Sequence, residues 1–223
     1  MPTVIAFDMN ETVLDLRALD PEFVRLFGDA GARAQWFAQM LQLAFVGGLV
    51  GRYVDFATAQ RAALHMLAER SGIDVSDADG DAVVAAMRRL PAHPDAAPAL
   101  LRLAEAGVRC VALTNSTLDT ARAQVANAGL GELFEDVMSA DEVHALKPAA
   151  APYRMVAERN GVGIGDVWLV AAHAWDVTGA LAAGCHAALV ARPGVVASPI
   201  GPQPDILGAD LGQVADALLA RLA

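Results

Sequence analysis

The chain opens with a short, wholly apolar run that ends at an acidic residue. Val4–Phe7 leads directly into Asp8, and a polar turn, Asn10-Glu11-Thr12, follows. A continuous apolar run of this length is typical of a strand buried on both faces of a parallel sheet. The pattern therefore predicts a central strand that delivers Asp8 to its carboxyl end.

The next part of the chain has a helical pattern throughout. From Leu16 to about Leu90 the apolar positions recur at helical spacing, without a strand-like run between them. Predicted helices begin at Pro21 and cover Gln35–Val50, Thr58–Arg70 and about Asp79–Leu90. Three prolines, Pro91, Pro94 and Pro98, predict the end of this helical segment, because proline does not continue a helix. We expect an all-helical cap domain over 16–91, inserted after the first strand into a core domain formed by 1–15 and 92–223.

Strand-like and helix-like stretches alternate after the prolines. The predicted strands are Val108–Leu113, Glu135–Met138, Val167–Val170 and His186–Val190. The predicted helices are Ala96–Ala106, Leu118–Ala128, Pro152–Asn160, Val177–Ala183 and Leu211–Leu222, and Pro193–Gly208 is predicted to be a surface loop. This alternation predicts an α/β core with a doubly wound, Rossmann-like parallel sheet that binds ligands at the carboxyl ends of its strands.

Composition and charge narrow the range of partners. Of the 223 residues, 55% are hydrophobic and 19% are charged, so the chain can bury a sizeable core. The formal net charge is −10 at pH 7. Nucleic acid and anionic membranes need a basic surface, so neither is expected as the main partner.

Several features favour a cytoplasmic protein. The N-terminus has no basic segment typical of a signal peptide. The uncharged run 34–51 contains Gln35, Gln39 and Gln42, which favours a buried amphipathic helix over a membrane span. Cys110 and Cys185 lack metal-type spacing and favour buried thiols in a reducing compartment.

Four polar clusters follow the predicted strands or lie in the loops between them. They are Asp8 with Thr12, Thr114-Asn115-Ser116, Lys147-Pro148, and His173 with Asp176. Because the carboxyl ends of parallel strands meet at one edge of a sheet, we expect these clusters to line one crevice.

Lys147 is the only lysine in the chain, since 15 of the 16 basic residues are arginine. A compact ammonium approaches a single carboxylate oxygen more closely than a planar guanidinium does, and it keeps a buried carboxylate ionised. Asp8 and Lys147 therefore suggest a carboxylate nucleophile with its counter-charge. The alternatives are a turn-forming aspartate and an ordinary surface lysine.

The other polar residues also have structural alternatives. Thr114 and Asn115 are placed to donate to an anion at a helix N-terminus, but Asn115 is also typical of a turn or a helix cap. Asp176 is compatible with an N-cap of the helix it opens. His173 is compatible with a structural role.

The four clusters, in this order and spacing, resemble the motifs of the haloacid dehalogenase-like superfamily. The closest resemblance is to its (S)-2-haloacid dehalogenases, which carry a helical cap after the first strand. The matching stretches are FDMNETVLDL, VALTNST, ALKPAAAPY and AAHAWDVTGA, with WFAQMLQLAF and GRYVDF in the cap.

This resemblance implies a hydrolytic dehalogenase that needs no metal or other cofactor. Asp8 would displace halide from C2 of a short 2-haloacid of the haloacetate or 2-halopropionate class, fluoroacetate included. Water would then hydrolyse the aspartyl ester to a 2-hydroxy acid. Lys147 would keep Asp8 ionised, Thr12 would orient it, and Asp176 would position or activate the water.

The resemblance also implies a substrate pocket. Thr114 and the backbone amides after Asp8 would hold the substrate carboxylate, and Asn115 would contact the halide. Further pocket residues implied in this way are Asn10, Phe37, Leu41, Phe56, Tyr153, His173 and Trp175. The implied partners are the haloacid and the halide product. The resemblance and the apolar stretch Leu41–Val50 also suggest a homodimer, the alternative being that this stretch only covers the pocket.

The halide site departs from the family pattern. Phe37 stands where the family carries a cap arginine, and His173 stands where it carries an asparagine. Asn10 replaces an aromatic residue and Ala171 replaces a serine. We expect His173, with Asn115, to supply the missing donor and to favour short haloacetates.

Two alternative functions are a phosphoester hydrolase of the same superfamily and a non-catalytic binder of small anions. Phosphatases of the superfamily use a D-x-D motif and a pair of acids four residues apart for magnesium. Asn10 and Ala172 occupy the corresponding positions here. An amide cannot shuttle a proton and a methyl group cannot bind a hard cation, so the sequence favours the metal-independent dehalogenase.

Overall fold

A parallel sheet forms the centre of the molecule in the computed structural model, which describes residues 3–222. Its strands are β1 (Val4–Phe7), β2 (Arg109–Thr114), β3 (Asp136–Ser139), β4 (Val167–Ala171), β5 (His186–Val190) and β6 (Ile206–Gly208). The spatial order is β3-β2-β1-β4-β5-β6, and every pairing is parallel. β1 therefore lies in the interior of the sheet between β2 and β4, which confirms the predicted doubly wound fold. Met1, Pro2 and Ala223, which the predicted core domain includes, lie outside the described residues.

Helices form the cap and cover the faces of the sheet. They are α1 (Asp20–Phe27), α2 (Ala32–Leu49), α3 (Phe56–Ser71), α4 (Asp77–Met87), α5 (Ala96–Glu105), α6 (Leu118–Asn127), α7 (Ala150–Asn160), α8 (Ala174–Ala183) and α9 (Leu211–Leu222). Alternate residues of β1 point to opposite faces. Ile5 and Phe7 join the apolar cluster that contains α5 and α9, whereas Val4 and Ala6 join the cluster that contains α7 and α8.

Helices α1 to α4, which lie between β1 and α5 in the chain, correspond to the predicted cap, and α5 leads from them to β2. Trp36 is fully buried at its centre, where it packs on Phe23 with 5.2 Å between ring centroids and donates its indole N–H to Gln60 O at 2.9 Å. Two short stretches connect the cap to the core, and backbone hydrogen bonds join them to each other. Asp15 N donates to Pro91 O and His93 N donates to Val13 O, both at 2.8 Å. The division into domains at 16–91 stays a prediction.

The structure corrects three details predicted from the sequence. The stretch Pro193–Gly208 is not all loop, because Ile206–Gly208 forms an edge strand beside β5. This strand has only three residues and follows a run rich in proline and glycine, so its pattern is weak. Asp176 does not cap α8, because α8 begins three residues earlier than predicted and His173 takes the N-cap position. Asn115 does not cap α6 either, because Thr117 takes the N-cap position of that helix.

The uncharged run 34–51 lies mainly in α2, which is part of the cap. Within the described range 3–222, the helices lack the combination of length and apolar character that crossing a bilayer requires. Cys110 and Cys185 are buried free cysteines, as predicted.

Close packing between α8 and the loop before α7 yields a test of the fold. A Cβ added at Gly179 would lie 2.5 Å from the Pro148 Cβ and 2.7 Å from the Tyr153 hydroxyl oxygen. Overpacking of this kind costs roughly 1–3 kcal/mol, so we expect Gly179→Ala to lower the free energy of unfolding by about that amount, measured by urea denaturation. Gly131→Ala is the matched control, since nothing lies within 4 Å of its added Cβ. An equal effect of the two substitutions would contradict this packing.

Candidate active site

The polar clusters meet at the carboxyl ends of β1, β2 and β4. Asp8 directly follows β1, Thr114 is the last residue of β2, and His173 lies two residues beyond β4. Lys147 comes from the loop between β3 and α7. The interior position of β1 explains why Asp8 is only 5% exposed although it follows a strand end.

The ammonium group of Lys147 joins two carboxylates. Its Nζ donates to Asp8 Oδ1 at 2.9 Å and to Asp176 Oδ2 at 2.6 Å. A third hydrogen bond goes to Leu113 O at 3.0 Å. The side chain of Lys147 is fully buried, and all three ammonium hydrogens have protein partners. Lys147 is therefore a component of the site and not a surface residue.

These contacts set the protonation states of the cluster. Burial would raise the pKa of Asp8, but the charges of Lys147 and His173 outweigh it and hold this pKa well below its usual range. Burial would likewise lower the pKa of Lys147, yet Asp176 and Asp8 raise it. For Asp176, burial raises the pKa, the charge of Lys147 opposes this, and the charge of Asp8 adds to it. The cluster thus holds an ionised Asp8 beside an ionised Lys147.

Two hydroxyl groups fix the carboxylates. Thr12 Oγ1 donates to Asp8 Oδ2 at 2.6 Å and accepts from Ala172 N at 2.8 Å, so it ties the turn after β1 to the end of β4. The Tyr153 hydroxyl donates to Asp176 Oδ1. Burial and the neighbouring charge of Asp176 raise the pKa of Tyr153 well above its ordinary value, which keeps this hydroxyl a donor.

On the other side of Asp8, the ring of His173 lies between two carboxylates. Its Nδ1 is 3.2 Å from Asp8 Oδ2, and its Nε2 is 3.0 Å from Glu11 Oε2. Burial would lower the pKa of His173, but the hydrogen bonds to Asp8 and Glu11 raise it to about 9. At neutral pH the ring is therefore a cation that donates from both nitrogens.

The polar cluster Thr114-Asn115-Ser116, at the end of β2, has a partly structural role. Asn115 Nδ2 donates to Lys147 O at 3.1 Å, and Asn115 Oδ1 accepts from Lys147 N at 2.8 Å. This pair of bonds holds the backbone that carries Lys147. Thr114 is fully buried, and its hydroxyl oxygen accepts from Ser116 N at 3.1 Å.

Asn10 lies in a buried network of polar side chains. Its Oδ1 accepts from Gln124 Nε2 at 3.0 Å, and its Nδ2 is 3.3 Å from Ser116 Oγ. The network fixes the orientation of the Asn10 amide. The residue is 4% exposed and contributes no acid or base.

Aromatic side chains pack on the imidazole of His173. The ring of Phe37, from the cap helix α2, stacks on it at a centroid distance of 5.7 Å, and that of Trp175 does so at 5.1 Å. Phe45, two turns further along α2, packs on Trp175 at 5.2 Å. The indole N–H of Trp175 is buried and has no hydrogen-bond partner among the described residues.

The two remaining pocket residues predicted from the family lie in the cap. Leu41 is buried in α2, one turn after Phe37 and one turn before Phe45. Phe56, at the start of α3, lines a small cavity with Ser116. Neither makes a hydrogen bond or a ring contact with the charged cluster, so their place in the substrate pocket stays a prediction.

Sequence reasoning missed Glu11 and Arg33. Glu11 lies in the turn after β1 in a left-handed conformation with φ of 63°, and Arg33 Nη1 in α2 is 3.5 Å from its Oε1. Glu11 could have been found from the sequence, because it lies in the turn after β1 and His173 follows β4 at the same edge of the sheet. Arg33 could not have been found in this way, because its distance from β1 depends on how the cap packs.

A cavity of about 550 Å³ lies beside the charged cluster. Phe45 in its wall contacts Trp175, and Leu146 and Pro148 flank Lys147. Its lining is apolar apart from Tyr53, His144 and backbone groups, and it contains none of the charged groups described above. Over residues 3–222, no group of three or more His, Cys, Asp or Glu side chains is arranged to hold a metal ion. The positive charge between Asp8 and Asp176 comes from Lys147.

Comparisons with known proteins show which family the chain resembles. A family model described as haloacid dehalogenase-like hydrolase matches residues 2–184. A haloacetate dehalogenase H-2 from a Moraxella species is 28% identical over 90% of this chain and 91% of its own length. An (S)-2-haloacid dehalogenase from Xanthobacter autotrophicus is 31% identical over 86% of this chain and 76% of its own length.

The fold comparison covers the whole molecule. The structure of L-2-haloacid dehalogenase from Xanthobacter autotrophicus with chloropropionic acid covalently bound superimposes with a TM-score of 0.92. It is 27% identical, and the match covers 100% of both chains. The ordered polar clusters, their convergence around Lys147 and the family match over residues 2–184 lead to one conclusion: the chain belongs to the haloacid dehalogenase-like hydrolases.

Proposed function

We propose that this protein hydrolyses the carbon–halogen bond of short 2-haloacids, with Asp8 as the nucleophile and without a metal ion. The observation that carries the proposal is the buried, ionised Asp8 held by Lys147, Thr12 and His173. Relatives that match along most of this chain are named haloacetate and (S)-2-haloacid dehalogenases.

The first half of the reaction is a displacement at carbon. One carboxylate oxygen of Asp8 attacks C2 of the haloacid, the C2–halogen bond breaks, and halide leaves with the bonding electrons. The product is an ester between Asp8 and C2. Because its pKa is held low, Asp8 is ionised at any pH near neutrality, and Lys147 and Thr12 fix its orientation for attack.

The second half requires a base for water, and His173 with Glu11 is the pair best placed to supply it. Esterification removes the negative charge of Asp8, one of the two charges that raise the pKa of His173. The ring can then release its Nδ1 proton while Nε2–H stays bonded to Glu11. Its Nδ1 faces the Asp8 carboxyl group, where an attacking water has to approach.

The bonds and protons of this step balance. His173 first releases its Nδ1 proton to solvent, and water then adds to Cγ of Asp8 and gives one of its protons to Nδ1. The bond between Cγ and the ester oxygen breaks, and the leaving oxygen takes the second proton of the added water to become the hydroxyl group of a 2-hydroxy acid. The oxygen from water stays on Asp8, whose carboxylate is restored.

Asp176 is less suited to activate water than the family resemblance implies. Both of its carboxylate oxygens accept hydrogen bonds from side chains, one from Lys147 and the other from Tyr153. It is fully buried. We assign Asp176 the role of holding Lys147 in place.

The contacts of His173 also change its expected role toward the halide. Both ring nitrogens already have carboxylate partners, so a halide would have to displace one of them. We therefore propose other donors to the halide: the buried indole N–H of Trp175, which has no hydrogen-bond partner among the described residues, and the side-chain amide of Asn115. Thr114 and the backbone amides after Asp8 remain the proposed site for the substrate carboxylate.

We also propose that the protein forms a homodimer and is located in the cytoplasm. The family resemblance and the apolar end of α2 support the dimer. Leu49 and Val50 expose 86% and 63% of their surface there.

The direct test of the activity is halide release. We expect release from chloroacetate, bromoacetate, fluoroacetate and (S)-2-chloropropionate that persists in EDTA and is abolished in Asp8→Asn, because an amide is not a nucleophile. Ion chromatography of the reaction measures the product. Loss of all turnover in EDTA, or turnover by the Asp8→Asn protein, would contradict the mechanism.

The assignment of the water-activating base predicts a trapped intermediate. With chloroacetate, His173→Asn is expected to form the ester on Asp8 but to hydrolyse it at least about a hundredfold more slowly, the usual range for loss of a general base. Intact-protein mass spectrometry would detect the carboxymethyl adduct, and peptide mapping would place it on Asp8. His186→Asn is the control, since His186 lies at the start of β5 and contacts Asp205 instead of the site. Turnover of His173→Asn at the wild-type rate would refute the assignment.

The raised pKa of His173 also predicts how stability depends on pH. The folded-state pKa of about 9 exceeds the ordinary value of 6.5, so the folded protein binds more protons than the unfolded chain between these values. The stabilisation is complete below about pH 6.5 and is lost as the pH rises toward 9, at no more than about 1.4 kcal/mol per pH unit. Urea unfolding at several pH values should show the advantage of wild type over His173→Asn shrinking across this window. A pH-independent difference would show that His173 is not charged in the resting protein.

A further inference from the structure

Arg33 of the cap helix α2 lies behind the His173–Glu11 pair. Its Nη1 is 3.5 Å from Glu11 Oε1, while the other carboxylate oxygen of Glu11 faces His173 Nε2 at 3.0 Å. The side chain of Arg33 is 14% exposed. A largely buried cation thus contacts the carboxylate that holds the imidazole.

Arg33 is anchored within the cap. Its Nε donates to Asp20 Oδ1 of α1 at 2.5 Å. Asp20 and Arg33 both belong to cap helices, whereas Glu11 lies in the turn after β1. The guanidinium is therefore anchored to the cap, and its contact with Glu11 crosses from cap to core.

The cap also closes over the reacting group. Phe37, one turn after Arg33 on α2, stacks on the ring of His173, and the Asp8 side chain is only 7% exposed. With Asp8 so little exposed, entry of a haloacid would require α2 to move away from this surface. Such a movement would separate Arg33 from Glu11, and the return of α2 would restore their contact.

We infer that Arg33 is a positioning residue for the hydrolytic half of the reaction: it holds the Glu11 carboxylate against His173 only when the cap is closed. This inference rests on the proposed function, because it assigns Glu11 and His173 to the activation of water. It adds that the base is assembled by cap closure, so that ester hydrolysis is confined to the closed state.

The charges around the imidazole explain why Arg33 matters most in the ester. His173 faces Asp8 and Glu11 from the turn after β1, the aromatic ring of Phe37 from α2, and that of Trp175 from α8. Lys147 lies behind Asp8, and Arg33 lies behind Glu11. In the resting protein both carboxylates orient the ring. In the ester only Glu11 keeps its charge, and the one-third exposed Glu11 side chain depends on Arg33 for a fixed position.

Single-turnover kinetics with chloroacetate test the inference. Rapid quench followed by intact-protein mass spectrometry separates ester formation from ester hydrolysis. Arg33→Gln is expected to slow ester hydrolysis about tenfold and to leave ester formation within about twofold, as is usual for coupled charges. Arg33→Lys keeps the positive charge and should recover most of the hydrolysis rate. It also tests the idea if the glutamine variant folds poorly.

A double-substitution cycle distinguishes positioning from general damage to the cap. If Arg33 acts through Glu11, then Arg33→Gln has no further effect on hydrolysis in a Glu11→Gln protein. Arg88→Gln is the matched control, because Arg88 and Asp119 form another ion pair between cap and core, at 2.6 Å, away from the site. This control should leave both rates unchanged.

Two outcomes would overturn the inference: equal slowing of ester formation and hydrolysis by Arg33→Gln, or additive effects of the Arg33 and Glu11 substitutions. Failure of the proposed function gives a different result. In that case wild type itself releases no halide and forms no ester on Asp8.

Discussion

The buried ammonium of Lys147 is the interaction on which the rest of the site depends. Removing a lysine from water completely is costly unless its charge is paired and its hydrogens are bonded. Here Asp8, Asp176 and Leu113 O accept all three ammonium hydrogens. The two carboxylates are buried as well. Without Lys147, Asp176 would lose its positively charged partner and Asp8 would keep only His173. This mutual dependence explains why Asn115 and Tyr153 hold the lysine backbone and Asp176 so firmly.

From this centre, charges of opposite sign alternate toward the cap. Asp176, Lys147, Asp8, His173, Glu11 and Arg33 follow one another, each in contact with the next. Such alternation allows several ionised groups to share a volume with little water, because each charge offsets the desolvation of its neighbours. It also gives the site two electrostatic states. In the proposed mechanism Asp8 becomes neutral in the ester, the two positive groups beside it lose a partner, and His173 is the one that can release a proton near neutrality.

The sequence predicted the part of this arrangement that follows from sheet geometry. Parallel strands end at one edge, so polar residues after β1, β2 and β4 had to converge, and Lys147 was conspicuous because it is the only lysine. The contact of Glu11 with His173 joins residues 162 positions apart. It further depends on a left-handed backbone at Glu11 that an L-residue adopts infrequently. Arg33 was beyond prediction, because its partner in the core depends on how a separately packed helical unit sits on the sheet. The edge strand Ile206–Gly208 escaped because three residues are too few to establish a periodic pattern.

The two main departures from the family pattern are physically linked. The resemblance places a cap arginine where this chain has Phe37 and an asparagine where it has His173. The ring of Phe37 stacks on that of His173 at 5.7 Å, and an aromatic face attracts an imidazolium cation. An arginine at position 37 would instead bring a second cation against the charged ring and lower its pKa, opposing the effect of Asp8 and Glu11. The proposed pairing of a histidine base with Glu11 therefore favours an uncharged, flat side chain on the cap above it. The positive charge that the cap contributes is found one turn earlier, at Arg33, where it contacts Glu11 and not the imidazole.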